Sequence, residues 1–169
     1  MQAHISLKSD SISADLKRRL RTINDLRSVL EAAGLQLVSW SQFAFEDPTK
    51  RPLPWPARKS GNNPLLKKSR SLQQSIRVAS ISQDAVIVGT DRKYAAYHQW
   101  GTSPYVIRPK VKKALFWNGA AHPVKKVNHP GLPARPFLPF YNNGSIMPEA
   151  QRRVMNVIKR KLDSELDLG

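Results

Sequence analysis

The sequence predicts an α+β domain, with a long N-terminal helix and a C-terminal helix packed on an antiparallel β-sheet of four to five strands. Apolar residues step by three or four over positions 12–44 and again over 147–166, the period of one helical face. Between them, 77–82 and 85–90 are β-branched runs joined at Gln83-Asp84, the pattern of a hairpin. At 169 residues the chain holds one domain with a sizeable core. It divides into an N-terminal helical region (1–46), a proline-rich loop (47–71), a β-rich basic body (72–141) and a C-terminal helix (145–167).

The first stripe runs through positions 12, 16, 20, 23, 26, 30, 33, 37, 40 and 44, and Ser9, Asp10 and Ser11 offer capping oxygens. Gly34 costs about 1 kcal/mol against alanine in a helix and is the natural place for a kink. A helix of this length, roughly 50 Å at about 1.5 Å per residue, exceeds what a small core covers. Leu16, Leu20, Ile23, Leu30 and Leu37 are therefore expected to meet a neighbouring subunit. A coiled-coil dimer is the alternative, although its seam mixes Ala and Trp with Leu and Ile.

Asp47-Pro48, Pro52, Pro54, Pro56 and Gly61 make the next stretch a loop. Trp55, between two prolines, reads as a rigid anchor or as a proline-rich ligand for an aromatic groove. The hairpin has apolar residues on both faces and is expected to be central. Tyr94 to Thr102 follows, with Ala95, Ala96, Tyr97, His98, Gln99 and Trp100 before Gly101. It predicts a short helical turn stopped by Gly101, its rings packed onto the hairpin. Runs at 105–107, 114–117 and 124–127 are expected to add strands with their cations on one sheet face. Residues 133–140 are too rich in proline to be helical, and Asn142-Asn143-Gly144 turns the chain. Pro148 falls in the first turn of the last helix, where a missing N–H costs little. Met147, Ala150, Val154, Val157, Ile158, Leu162 and Leu166 form its stripe, with Val154 and Ile158 expected at a subunit interface.

Charge divides the chain. Residues 1–47 carry six basic and six acidic side chains, and residues 149–169 five and four. Residues 48–148 carry seventeen basic residues against Asp84 and Asp91 alone, so the middle holds +15 of the +16 total. Such a field favours a polyanion or an acidic protein surface. Lys67, Lys68, Arg70, Lys110, Lys112, Lys113, Lys125 and Lys126 are the candidate contacts, the last five lying near Phe116 and Trp117.

Other chemistry finds little support. With no cysteine there are no disulfides or thiolate zinc sites. His122 and His129 lack a carboxylate or third histidine nearby, so neither metal nor cofactor is expected. Asp84 and Asp91 fit turn geometry. No phosphate-cradling glycine motif occurs. No apolar run reaches the roughly 18 residues that span a bilayer, and no apolar signal region opens the chain, so a cytoplasmic protein is expected. One enzymatic reading survives, a metal-free ribonuclease built from Arg92, Tyr94, Tyr97, His98 and Arg135.

Four features occur in the order seen in phage tail-completion and head–tail joining proteins. They are Asp47-Pro48 with Trp55; Leu65-Leu66 through Leu72-Gln-Gln-Ser-Ile76; Val86 to Thr90 followed by Tyr94-Ala95, His98-Gln99 and Gly101; and His129-Pro-Gly131 with Pro133-Ala-Arg135-Pro136-Phe137-Leu138. Over about residues 43–140 the chain resembles the phage virion morphogenesis (tail-completion) family, related to a tail-component family of lambdoid phages. It departs from that pattern at Arg70, where the family often has glycine. The resemblance implies a non-enzymatic structural protein of the virion's head–tail junction, assembled in the host cytoplasm. It further implies a homo-oligomeric ring, a hexamer in preference to a dodecamer. Its neighbours would be the connector and the tail-tube or tail-terminator proteins, with DNA in the channel and no membrane. Residues 133–139 would then form a stiff arm, with Arg135 on a carboxylate or backbone oxygen and Phe137 in a pocket, or else an internal strut covering the sheet edge.

Overall fold

The computed structural model of the chain describes residues 4–8, 26–57, 70–118 and 120–167. The described half of the first stripe forms α1, Arg27–Phe43, one helix running straight through Gly34. Leu30, Ala33, Leu37 and Trp40 are buried on the expected face, which Val29 on one flank and Gly34 and Ser41 on the other widen into a broad buried arc. Such an arc suits a helix lying between two layers. On one side are Val78 and Val86, so close that a Cβ on Gly34 would sit 2.7 Å from Val86 Cγ2 and 2.9 Å from Val78 Cγ2. Glycine serves here as clearance for the sheet, and the helix continues through it unbroken. Positions 9–25, the first half of the predicted helix, lie outside the described residues.

The predicted hairpin is present as β2 (Arg77–Ile81) and β3 (Ala85–Gly89), with Ser82 N donating to Ala85 O at 2.8 Å across the turn. The sheet is three-stranded and antiparallel, because β1 (His4–Lys8), which the sequence reading did not identify, pairs with β3 in the register Ile5↔Val88 and Leu7↔Val86. β3 is therefore central, but β2 is an edge with a bulge between Val78 and Ser80, so the hairpin expected to be central is so in one strand only. Val86 and Val88 are fully buried under α1. Each such valine contributes about 1.5–3 kcal/mol by burial.

A second departure concerns the later strands. β4 (Tyr105–Ile107) and β5 (Val127–His129) pair with each other and form a separate two-stranded ribbon. The predicted sheet of four to five strands is thus divided three and two. The lysines do not alternate along its strands; they lie in the irregular segments 108–113 and 125–126.

The last helix, α4 (Pro148–Asp167), starts at its proline and packs chiefly against α1. Layers therefore run sheet, α1, α4. Val154, Ile158 and Leu162 are 1, 1 and 0% exposed, joined in one core with Leu30, Leu37, Phe45 and Phe137. Leu30, Leu37, Val154 and Ile158, assigned by sequence to a subunit interface, thus cover one another inside a single chain. Leu16, Leu20 and Ile23 lie outside the described residues. Trp40, Met147 and Ala150 form a smaller cluster at the N-terminal end of α4, where Trp40 Nε1 donates to Lys50 O at 2.9 Å.

Candidate functional site

Residues 94–101 and 131–140 close on each other to form a clasp. Its first half is the short helix α3, Ala95–Trp100, ended by Gly101 at φ +72°. Ala95, Ala96 and Gln99 are buried, whereas Tyr94, Tyr97 and Trp100 keep much of their surface in water. The small residues and the amide enter the core, and of these three rings Trp100 reaches it, 5.2 Å from Phe140. A six-residue helix brings its i and i+4 positions onto one face, which places Ala95 and Gln99 together.

Opposite lies the proline-rich strand of the clasp. Pro133, Pro136 and Pro139 carry no N–H and prevent a regular ladder. The remaining donors Phe137 N and Leu138 N are buried and need an acceptor. Gln99 Oε1 accepts both, each at 3.1 Å. Arg135 N donates to His98 O at 2.7 Å. Gln99 Nε2 is buried with no partner among the described residues, a cost of about 1–3 kcal/mol that the two bonds to Oε1 offset.

Close approach of the two halves explains two glycines. A Cβ on Gly101 would sit 2.6 Å from Leu132 O and 2.9 Å from Ala134 N, and one on Gly131 (φ +84°) would run into Thr102 O. Between them Thr102 and Leu132 exchange backbone hydrogen bonds of 2.9 and 3.2 Å.

Trp55 anchors the proline-rich loop to this clasp. Its Nε1 donates to Pro136 O at 2.8 Å, its ring meets Phe45 edge-on, and the Arg51 guanidinium lies 3.9 Å above it. Arg135 reaches the same loop, donating from Nε and Nη2 to Pro56 O at 3.2 Å. Phe137 is fully buried beside Phe45. Residues 136–140 are therefore internal to the fold, and Arg135 binds backbone oxygen of its own chain. His98 is half-buried with its ring edge-on to Tyr94. Burial first, and the Arg135 charge second, hold its pKa below the ordinary histidine value.

The second region is an arm, residues 103–130, bounded by the Thr102–Leu132 bridge. Tyr105 stacks on His129 at 4.7 Å, and His129 Nδ1 accepts from Gly131 N at 3.0 Å, so this histidine serves the arm's root. Farther out, Leu115 and Val124 pair through backbone bonds of 2.8 and 3.0 Å. No described residue of the arm is buried. Val111, Phe116 and Trp117 are 98, 68 and 50% exposed. Lys110, Lys112, Lys113, Lys125 and Lys126 are all exposed here. The ion pairs among the described residues engage Lys50, Arg77, Arg92 and Arg153, and none of these lysines. Asp84 accepts from Ser82 Oγ at 3.0 Å, the turn role expected of it, whereas Asp91 forms ion pairs with Arg77 at 3.2 Å and Arg92 at 3.8 Å.

Arg70 sits apart from the arm, at the N-cap of the short helix α2 (Ser71–Gln74), and Lys67 and Lys68 lie outside the described residues. Sequence reasoning missed a further basic cleft of about 700 Å³ between α1 and α4, lined by Gln36, Arg152, Arg153, Lys159 and Arg160 among others. Its cations step by helical spacing along α4 and were legible there. Gly131 carried a signal in the Pro130-Gly131 dipeptide; Thr102 carried none. Among the described residues no three His, Asp or Glu side chains could hold a metal ion, and no helix is long and apolar enough to cross a membrane.

A small α+β scaffold whose motif residues build the clasp, with a cationic arm turned outward, is suited to assembly with other molecules. Residues 7–163 match the model of the phage virion morphogenesis family, nearly the whole chain, and the protein belongs to that family. It is accordingly a protein with a structural or assembly role in the bacteriophage virion. No curated protein and no solved structure matches it.

Proposed function

We propose that the chain is a tail-completion or neck protein of the head–tail junction. It forms a ring, a hexamer in preference to a dodecamer, that joins the tail to the head connector without catalysing a reaction. The observation that supports this most is the arm. Six cations stand between Ser103 and Leu132 while no acidic residue occurs between Asp91 and Glu149. A cationic projection rooted in the scaffold suits docking against a polyanionic neighbouring protein, once for each subunit of the ring. Deleting the gene from the phage tests the proposal. Filled heads accumulating beside separate tails are expected; normal virions would exclude it.

One observation favours a second reading, a metal-free ribonuclease: the depressed pKa keeps His98 a neutral base beside Tyr94. Against it, Arg135 gives its Nε and Nη2 donors to the proline-rich loop. Purified protein is expected to leave RNA intact, and cleavage abolished by His98→Ala in a folded variant would revive the enzyme.

A further inference from the structure

We infer that the arm seats in an acidic, apolar-lined cleft of a different virion protein, not on DNA and not on a second copy of this chain. The inference deepens the head–tail reading and rests on it. Exposed apolar surface grouped in one place marks a contact site, and this arm carries five of the twelve large exposed apolar side chains described. Stacking on nucleic-acid bases would employ Phe116, Trp117 and Tyr105. It gives no role to Val106 and Val111, the latter 98% exposed. Aliphatic side chains beside aromatic ones gain most from burial in a protein pocket.

Charge selects which protein. The arm's cations call for carboxylates across the interface, and the whole of residues 48–148 in a second copy offers only Asp84 and Asp91. Asp47, Asp91 and Glu149 are already paired with Lys50, with Arg77 and Arg92, and with Lys50 and Arg153. Preorganisation helps binding. The arm is pinned at its root by Thr102–Leu132 and Tyr105–His129 and near its tip by Leu115–Val124, so docking orders little new backbone.

The test uses heads and tails from phage lacking the gene, to which the purified full chain is added. The parent is expected to co-sediment with one of the two particles after nuclease treatment, less so at high salt, and to restore infectious virions. Two variants separate charge from apolar contact: Lys110→Glu/Lys112→Glu/Lys113→Glu and Val111→Ser/Phe116→Ser/Trp117→Ser. Each should lower particle binding by about tenfold or more while circular dichroism and Tm stay those of the parent. Variants that bind and restore joining like the parent would overturn the inference. So would particle binding that nuclease abolishes, which would assign the arm to DNA. A loss of self-association in sedimentation velocity, with particle binding unchanged, would assign it to a second copy. If the parent binds a particle through the arm yet restores no joining, the head–tail reading fails while the arm's docking stands.

Discussion

The clasp and the arm are adjacent in sequence and opposite in physical character. In residues 136–140 every side chain is buried; in 103–130 none of the described ones is. The clasp satisfies backbone donors within the chain, through Gln99 Oε1, His98 O and Leu132 O. The arm leaves its lysines and large apolar side chains in water. Residues that carry the family resemblance thus build the scaffold, and the chemistry available to partners sits in the stretch between two of those motifs. A motif of His, Tyr and Arg that looks reactive in sequence can be architecture, because backbone carbonyls and amides in a proline-rich segment need side-chain partners.

The sharpest way to break this contrast is to force the clasp apart. Gly131→Ala places a methyl group against Thr102 O in a backbone region that disfavours L side chains, and Gly101→Ala does the same against Leu132 O. Each should destabilise by about 3 kcal/mol or more, read by urea denaturation. Gln99→Leu is next, leaving Phe137 N and Leu138 N buried without an acceptor. A loss of about 2–4 kcal/mol is expected, reduced somewhat because the orphan Nε2 disappears with them.

Two tryptophans then compare the regions directly. Trp55→Ala removes a ring packed on Phe45 and Arg51 and a bond to Pro136 O, and should cost about 2–4 kcal/mol. Trp117→Ala should change stability by less than about 0.5 kcal/mol. Equal effects would mean that the arm is packed after all.

A smaller effect should appear with pH. The folded-state pKa of His98 is depressed, so below the ordinary value of about 6.5 the unfolded chain binds a proton that the folded chain resists. Stability therefore falls as pH drops through that value toward the folded pKa. Asp47, whose carboxylate is held below its usual range by hydrogen bonds from Thr49, adds its own loss only at lower pH. His98→Gln should flatten the slope between about pH 7 and pH 5, measured from the urea midpoint.

Much of this contrast was legible in the sequence, unevenly. The hairpin, the turn ended by Gly101, the proline-punctuated strut and the charge of the arm all follow from local patterns of residues. Strand β1 was legible too, since Ile5 and Leu7 alternate with polar neighbours, but five residues beside a strong helical stripe give a weak signal. What pattern alone could not supply was partnership. The stripe of α1 could cover another subunit or α4, and only the tertiary arrangement sets Leu37 against Val154 and Ile158. In the same way β4 and β5 look like additions to the main sheet, because strand propensity does not say which edge a strand joins.

Arg70 gives the smallest expected effect and tests whether a departure from the family pattern carries a cost. It is the sole non-glycine residue at positive φ among those described, at +51° with ψ 4°. In that left-handed region a Cβ costs about 1–2 kcal/mol. Gly, which the family often has here, avoids the penalty but loses more chain entropy on folding, by about 0.5–1 kcal/mol. Arg70 is exposed, and its backbone O accepts Gln74 N at 2.9 Å, a bond that substitution preserves. Arg70→Gly should therefore stabilise the fold by about 0.5 kcal/mol, seen as a higher urea midpoint with an unchanged slope. A destabilised variant would show that the Arg70 side chain holds the chain in place, and the residue would then belong with the clasp and not with the free cations.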